Sequence, residues 1–97
     1  MASPVAITGS YKNITSTTTI STVPGQLLGI FVASASATPV ITVVDAATAV
    51  SSPLIVNAFT PIGGTWYPIP GTYNTGLRVV ISGTVDCTVF YSPTPTT

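Results

Sequence analysis

The chain has 97 residues, no net charge and only four charged side chains, Lys12, Asp45, Arg78 and Asp86, where an ordinary domain of this length carries roughly two dozen. Such a composition offers no basic patch for phosphates and no polybasic segment for anionic lipid, so neither a nucleic-acid nor a membrane partner is expected. Histidine is absent, which removes the commonest general base and the commonest metal ligand.

The polar share comes from hydroxyls, with 18 Thr and 10 Ser. At 45% apolar residues the chain lacks the signature of disorder, and its length suits one domain. Glu is absent and Gln, Lys and Arg occur once each, and no stretch keeps a 3.6-residue apolar period, so no helix is expected. Val, Ile and Thr runs, punctuated by Pro and Gly at short intervals, predict an all-β fold: an antiparallel, jelly-roll-like β-sandwich of about seven or eight strands.

In chain order, residues 1–10 read as an extended arm, residues 11–91 as the domain and residues 92–97 as a Pro/Thr tail. The opening Met1-Ala2-Ser3-Pro4 has neither the basic nor the apolar region of a signal peptide, so no secretory leader is expected. Tyr11 to Val23 is one long Thr-rich strand, or two broken near Ser16. Pro24-Gly25 reads as a turn with Gly25 at positive φ. Leu27 to Val44 is uncharged and apolar enough to resemble a membrane span. Its small-polar middle, Ala33 to Pro39, favours two strands instead, Leu27 to Ser34 and Val40 to Asp45, joined by a turn. Both faces of Val40 to Val44 are largely apolar, so this strand should be covered on both sides or pack on a neighbour. Pro53 to Phe59 is the next strand. Thr65 to Ile69 follows, with Pro68 marking it as an edge or a bulge.

The last two strands, Gly76 to Ser82 and Val85 to Tyr91, read as a hairpin over a Ser82-Gly83-Thr84 loop. That register sets Ile81 against Val85, Val79 against Cys87 and Leu77 against Val89, and Tyr91 extends the apolar face. It also sets Arg78 diagonal to Asp86, as a surface ion pair or a contact across a subunit interface. Cys87 has no partner for an internal disulfide and reads as a small buried residue.

No constellation carries catalysis. Ser and Thr abound, but there is no His or Glu to activate one, so the chain is read as no enzyme. Asp45, at a strand end, reads as an Asx-type turn cap. Two separated carboxylates are too few for a calcium site, no zinc spacing occurs, and no cofactor or metal is expected. Asn13-Ile14-Thr15 matches the glycosylation sequon by chance. Phe59, Trp66, Tyr67 and Tyr73, among several Pro and Gly residues, are the best binding candidates: core and edge packing, a protein interface or a sugar-stacking surface all suit them. Arg78 and Asp86 complete the interface candidates. A net charge of zero does little to keep molecules apart, so assembly with other subunits is expected.

Gly76-Leu77-Arg78-Val79-Val80-Ile81-Ser82-Gly83-Thr84-Val85-Asp86-Cys87-Thr88-Val89-Phe90-Tyr91 resembles the ending of many small tailed-phage virion proteins. Ile41-Thr42-Val43-Val44-Asp45 is similar to their mid-chain strand, and Tyr67-Pro68-Ile69-Pro70 followed by Asn74-Thr75-Gly76 resembles the family's order. The resemblance covers roughly residues 27–91. Cys87 stands where an aliphatic residue is usual, and Arg78 where a small or hydroxyl residue is common. The resemblance implies a non-catalytic β-sandwich that decorates or cements a phage head, often as a homotrimer on the major capsid protein, and resides in virions assembled in the host cytoplasm. The alternative it implies is a tail, baseplate or fibre module, which would bind host-surface glycan through its aromatic loop.

Overall fold

The computed structural model describes residues 9–48 and 53–93. Among these residues six strands form: β1 (Ser10–Ile14), β2 (Thr18–Ser21), β3 (Gly25–Val44), β4 (Leu54–Phe59), β5 (Thr65–Tyr73) and β6 (Leu77–Pro93). Every pairing is antiparallel, and the described residues contain no helix, so the all-β expectation holds. Most of the predicted arm (1–8) and of the tail (94–97) lies outside the described residues. Ser10, however, opens β1, and Ser92 and Pro93 end β6.

The frame is a ribbon of two long strands. β3 has 20 residues and β6 has 17, and they pair from Gly25↔Pro93 to Val44↔Arg78. Each half of the ribbon carries its own flanking strands. β1 lies on the second half of β6, with Ser10↔Tyr91 to Ile14↔Cys87, and β5 lies on the first half of β3, with Gly25↔Tyr73 to Val32↔Thr65. At the other end β2 pairs with Leu77 to Val79 of β6, and β4 pairs with Ile41 to Val44 of β3.

Two expected turns are therefore absent. Ser82-Gly83-Thr84 does not reverse the chain, and neither does Ala33 to Pro39; each is the mid-point of a long strand. Ser36 faces Thr84 and Val40 faces Ser82, so three residues of β3 bulge out opposite Gly83. Ala37 and Thr38 adopt φ of 57° and 54°, and Gly83 adopts 78°. Both strands thus bend where the sequence places its small residues, but each half keeps pairing with the other long strand. Gly25 also departs from expectation. It lies inside β3 and is not among the positive-φ residues.

Other expectations hold. The Thr-rich segment breaks at residues 15–17 into β1 and β2. β5 is an edge strand, and Pro68 sits at its bulge, where a ladder donor is not needed. β5 runs four residues past Ile69, because Thr72 and Tyr73 still pair with Gln26 and Gly25.

One core unites both halves of the ribbon. Leu27, Ile30, Val32, Cys87 and Val89 from one half join Ile41, Val43, Leu77 and Val79 from the other, all without exposed surface. Each such aliphatic contributes roughly 1.5–3 kcal/mol on burial. Val44 alternates to the opposite side from Val43, yet it too is fully buried. Both sides of this strand are thus covered within the chain itself, and the adjoining Ala46 is also buried. Cys87 sits in the core, where burial first and the Asp86 charge second push its thiol up to about 11. A thiol so protonated and enclosed should react with Ellman's reagent at least tenfold faster after denaturation than before. Equal rates would contradict its placement.

Candidate functional site

The aromatic residues predicted as one cluster are divided by strand alternation. Along β5, Trp66, Pro68, Pro70 and Thr72 are exposed, while Tyr67, Ile69 and Tyr73 turn toward the core. Tyr73 is fully buried and is no surface candidate. Its hydroxyl has no partner in hydrogen-bonding geometry among the described residues. Burial raises its pKa; a contact from Ser21 lowers it and the charge of Tyr91 raises it further, with a net rise. Tyr67 packs edge-on against Phe59 with ring centroids 5.2 Å apart, and its Oη accepts the Ile62 N–H at 2.9 Å. That pair is packing at the sheet margin rather than a presented surface.

Trp66 finds different company. Its ring lies over Gly29, where a side chain would strike it, and meets Phe90 of β6 edge-on at 5.5 Å. Phe90 in turn meets Tyr11 of β1 at 6.4 Å. Phe31 is the direct cross-strand neighbour of Trp66. The result is an aromatic face across β1, β6, β3 and β5, with Tyr11 73%, Trp66 46% and Phe31 39% exposed. Sequence reading missed Tyr11, Phe31 and Phe90 because they lie far from Trp66 along the chain. The available signal was parity: Phe90 shares the even-numbered positions of Arg78 and Asp86, opposite the apolar set Leu77, Val79, Cys87 and Val89.

Beside these rings lies a polar group. Asn13 Nδ2 donates to Asp86 Oδ1 at 2.9 Å, to the Cys87 carbonyl at 3.0 Å and to Thr88 Oγ1 at 3.3 Å. Asn13 pairs with Thr88, and Thr88 with Phe31, so the polar group and the rings share one face of the sheet.

Arg78 and Asp86 do not meet. With Ser82-Gly83-Thr84 extended rather than turned, the two residues belong to opposite halves of the ribbon. Arg78 Nη1 instead donates to Thr19 Oγ1 at 2.6 Å and to the Ala47 carbonyl at 3.3 Å, and the Thr19 hydroxyl donates to the same carbonyl at 2.6 Å. This clasp ties Ala47 to the paired strands β2 and β6. Arg78 Nε is buried without a hydrogen-bond partner among the described residues.

Asp45 is a clasp rather than a cap on its own turn. Its Oδ1 accepts the N–H groups of Asn74 at 3.0 Å, Thr75 at 2.7 Å and Gly76 at 3.2 Å, and its Oδ2 accepts Asn74 at 2.9 Å. Desolvation pushes this carboxyl up, but the three backbone donors outweigh it and the pKa ends below 3.8. A depressed native pKa gives stability that is present above 3.8 and lost as pH falls through the lower native value. Asp45→Ala should cost about 1 kcal/mol at neutral pH, reduced by solvent screening. Melting curves from pH 6 to pH 2 should fall at the acid end for the parent and stay flatter for the variant. An acid transition unchanged by the substitution would contradict this role.

The described residues form no pocket and no group of three metal-ligating side chains. Scans against protein-family models and searches of curated proteins and of solved structures find no match to this chain.

Proposed function

We propose that this chain is a non-catalytic structural subunit of a phage virion, a decoration or cement protein of the head, built as a jelly-roll sandwich. The observation that carries the reading is the pairing scheme of the ribbon. Divided at its bend, the sheet gives the order β1, second half of β6, first half of β3, β5, and the order β2, first half of β6, second half of β3, β4. This order matches the scheme of an eight-stranded jelly roll in two four-stranded sheets, an architecture common to viral capsid and lectin domains, and so supports the reading. Dimensions support the fold. A straight strand of 20 residues would span roughly 65 Å, whereas the chain measures 49 × 27 × 16 Å. A single core drawn from both halves supports it too. An architecture shared with capsid domains fits the role that the sequence resemblance implies.

Attachment follows from the composition. With four charges in 97 residues, subunit contacts rest on apolar area and backbone edges. Val23, Leu54 and Ile62 are 48%, 48% and 66% exposed, and a standard interface of about 1,600 Å² needs no ion pair. Purified subunits should co-sediment with particles and stay bound in about 1 M NaCl, where surface ion pairs are screened. Release by salt, or failure to bind particles, would refute the reading. The proposed homotrimer is tested by light scattering at micromolar concentration, where a clean monomer would count against it.

A further inference from the structure

We propose that the outward aromatic face binds a neutral glycan, with Trp66 and Phe31 stacking on sugar rings and Asn13 and Asp86 taking sugar hydroxyls. This goes beyond a structural role and holds wherever the subunit sits.

The two halves of the ribbon differ on their outer sides. One carries the chain's own segment 45–48, held by Arg78 and Thr19. The other half presents half-exposed rings. Those rings are fixed from behind: Trp66 rests on the bare Gly29 backbone, and Phe90 supports it from the side. A ring seated before the ligand arrives loses little entropy on binding. Sugars present apolar C–H faces that suit such rings, and hydroxyls that need planar polar partners.

The polar partners are also prepared. Three hydrogen bonds fix the Asn13 amide. Among the described residues neither Asn13 Oδ1 nor Asp86 Oδ2 takes a hydrogen bond, so two acceptors remain for ligand hydroxyls. Charge selects the class. Asp86 is the one charged residue aligned with this face, because strand alternation turns Lys12 of β1 away from Tyr11 and Asn13. An acidic sugar or a phosphate would meet a carboxylate with no cation beside it, so neutral sugars are favoured.

Trp66 is the only tryptophan, so its emission reports on the site directly. The full chain should be titrated with cello-, malto-, manno- and chito-oligosaccharides, and with a sialylated and a sulfated oligosaccharide for comparison. At least one neutral series should give a saturable change in emission. Phe31→Ala and Asp86→Ala, each checked for an unchanged fold by circular dichroism, should lower affinity about tenfold or more. Calorimetry with Trp66→Ala should show no binding. Silence with every neutral sugar, a response only to the anionic ones, or affinity unmoved by Asp86→Ala would each overturn the proposal. So would an emission shift driven by protein concentration alone, which would make the face an interface between copies. Salt-resistant particle binding is a separate readout, so the virion reading and this one can fail independently.

Discussion

Gly83→Ala should be among the most damaging single-methyl changes available, with a loss of about 3 kcal/mol. Two costs combine. Gly83 holds φ of 78°, where an L side chain is strained. The added Cβ would also strike the Thr38 carbonyl oxygen and approach the Ala37 carbonyl oxygen at 2.6 Å and the Thr38 carbonyl carbon at 2.8 Å. These are backbone atoms at the bend of β3, and they cannot retreat without undoing the bulge. A domain of this size should lose roughly 15 °C in Tm. The converse change tests the same bend from the other strand. Thr38 is β-branched and holds φ of 54°, so Thr38→Gly should be neutral or stabilising despite the entropy cost of glycine. A Gly83→Ala protein that melts within a few degrees of the parent would show that the two strands do not meet at this bulge as described.

That bend is also where sequence reading stopped. Leu77, Val79, Ile81, Val85, Cys87 and Val89 are all odd-numbered, and an odd set shares one face whether the chain turns at Gly83 or runs straight through it. Alternation reports the face of a residue, not its partner. Ser-Gly-Thr is good hairpin grammar, and only the competing partner on β3 overrides it. β3 was harder still, because its buried positions change parity along the strand. Leu27 is followed by Ile30 and Val32, then by Ile41 and Val43, with register shifts near Leu28, Ala33 and Ala37 to Pro39. Each extra residue flips the pattern, so one strand of 20 residues reads as two.

The candidate site was legible in part for the same reason. Trp66 and Asp86 could be named, and both lie on the outward face. Tyr67 and Tyr73 shared a composition-rich segment with Trp66, but alternation along β5 sends them the other way. Asn13 was set aside as a chance sequon. Its role depends on β1 pairing with the end of β6, more than seventy residues on, and short-range pattern carries no information about such a pairing.

Gly29→Ala should cost about 2 kcal/mol and unseat Trp66. The new Cβ would meet Trp66 Cζ2 at 2.7 Å, with Cη2 closer still, and the Tyr67 carbonyl oxygen at 2.7 Å. The indole can swing away, whereas the carbonyl belongs to a paired strand. Two observables therefore separate. The clash with Tyr67 lowers the melting temperature, and displacement of the sole tryptophan shifts its emission toward that of a solvated indole. A double-mutant cycle with Trp66→Ala divides the two parts. Without the ring, Gly29→Ala should keep the backbone share of its cost and lose the rest, giving a coupling energy above about 0.5 kcal/mol. Full additivity, or unchanged emission in Gly29→Ala, would mean that the indole does not rest on Gly29. The pre-seated platform would then lose its floor, and the case for a sugar-stacking face would lose its rigid half. A cost carried by both terms would instead explain the bare backbone: on the outward face of this half-sheet, Gly29 is what lets an aromatic ring reach from β5 to β6 over the strand between them.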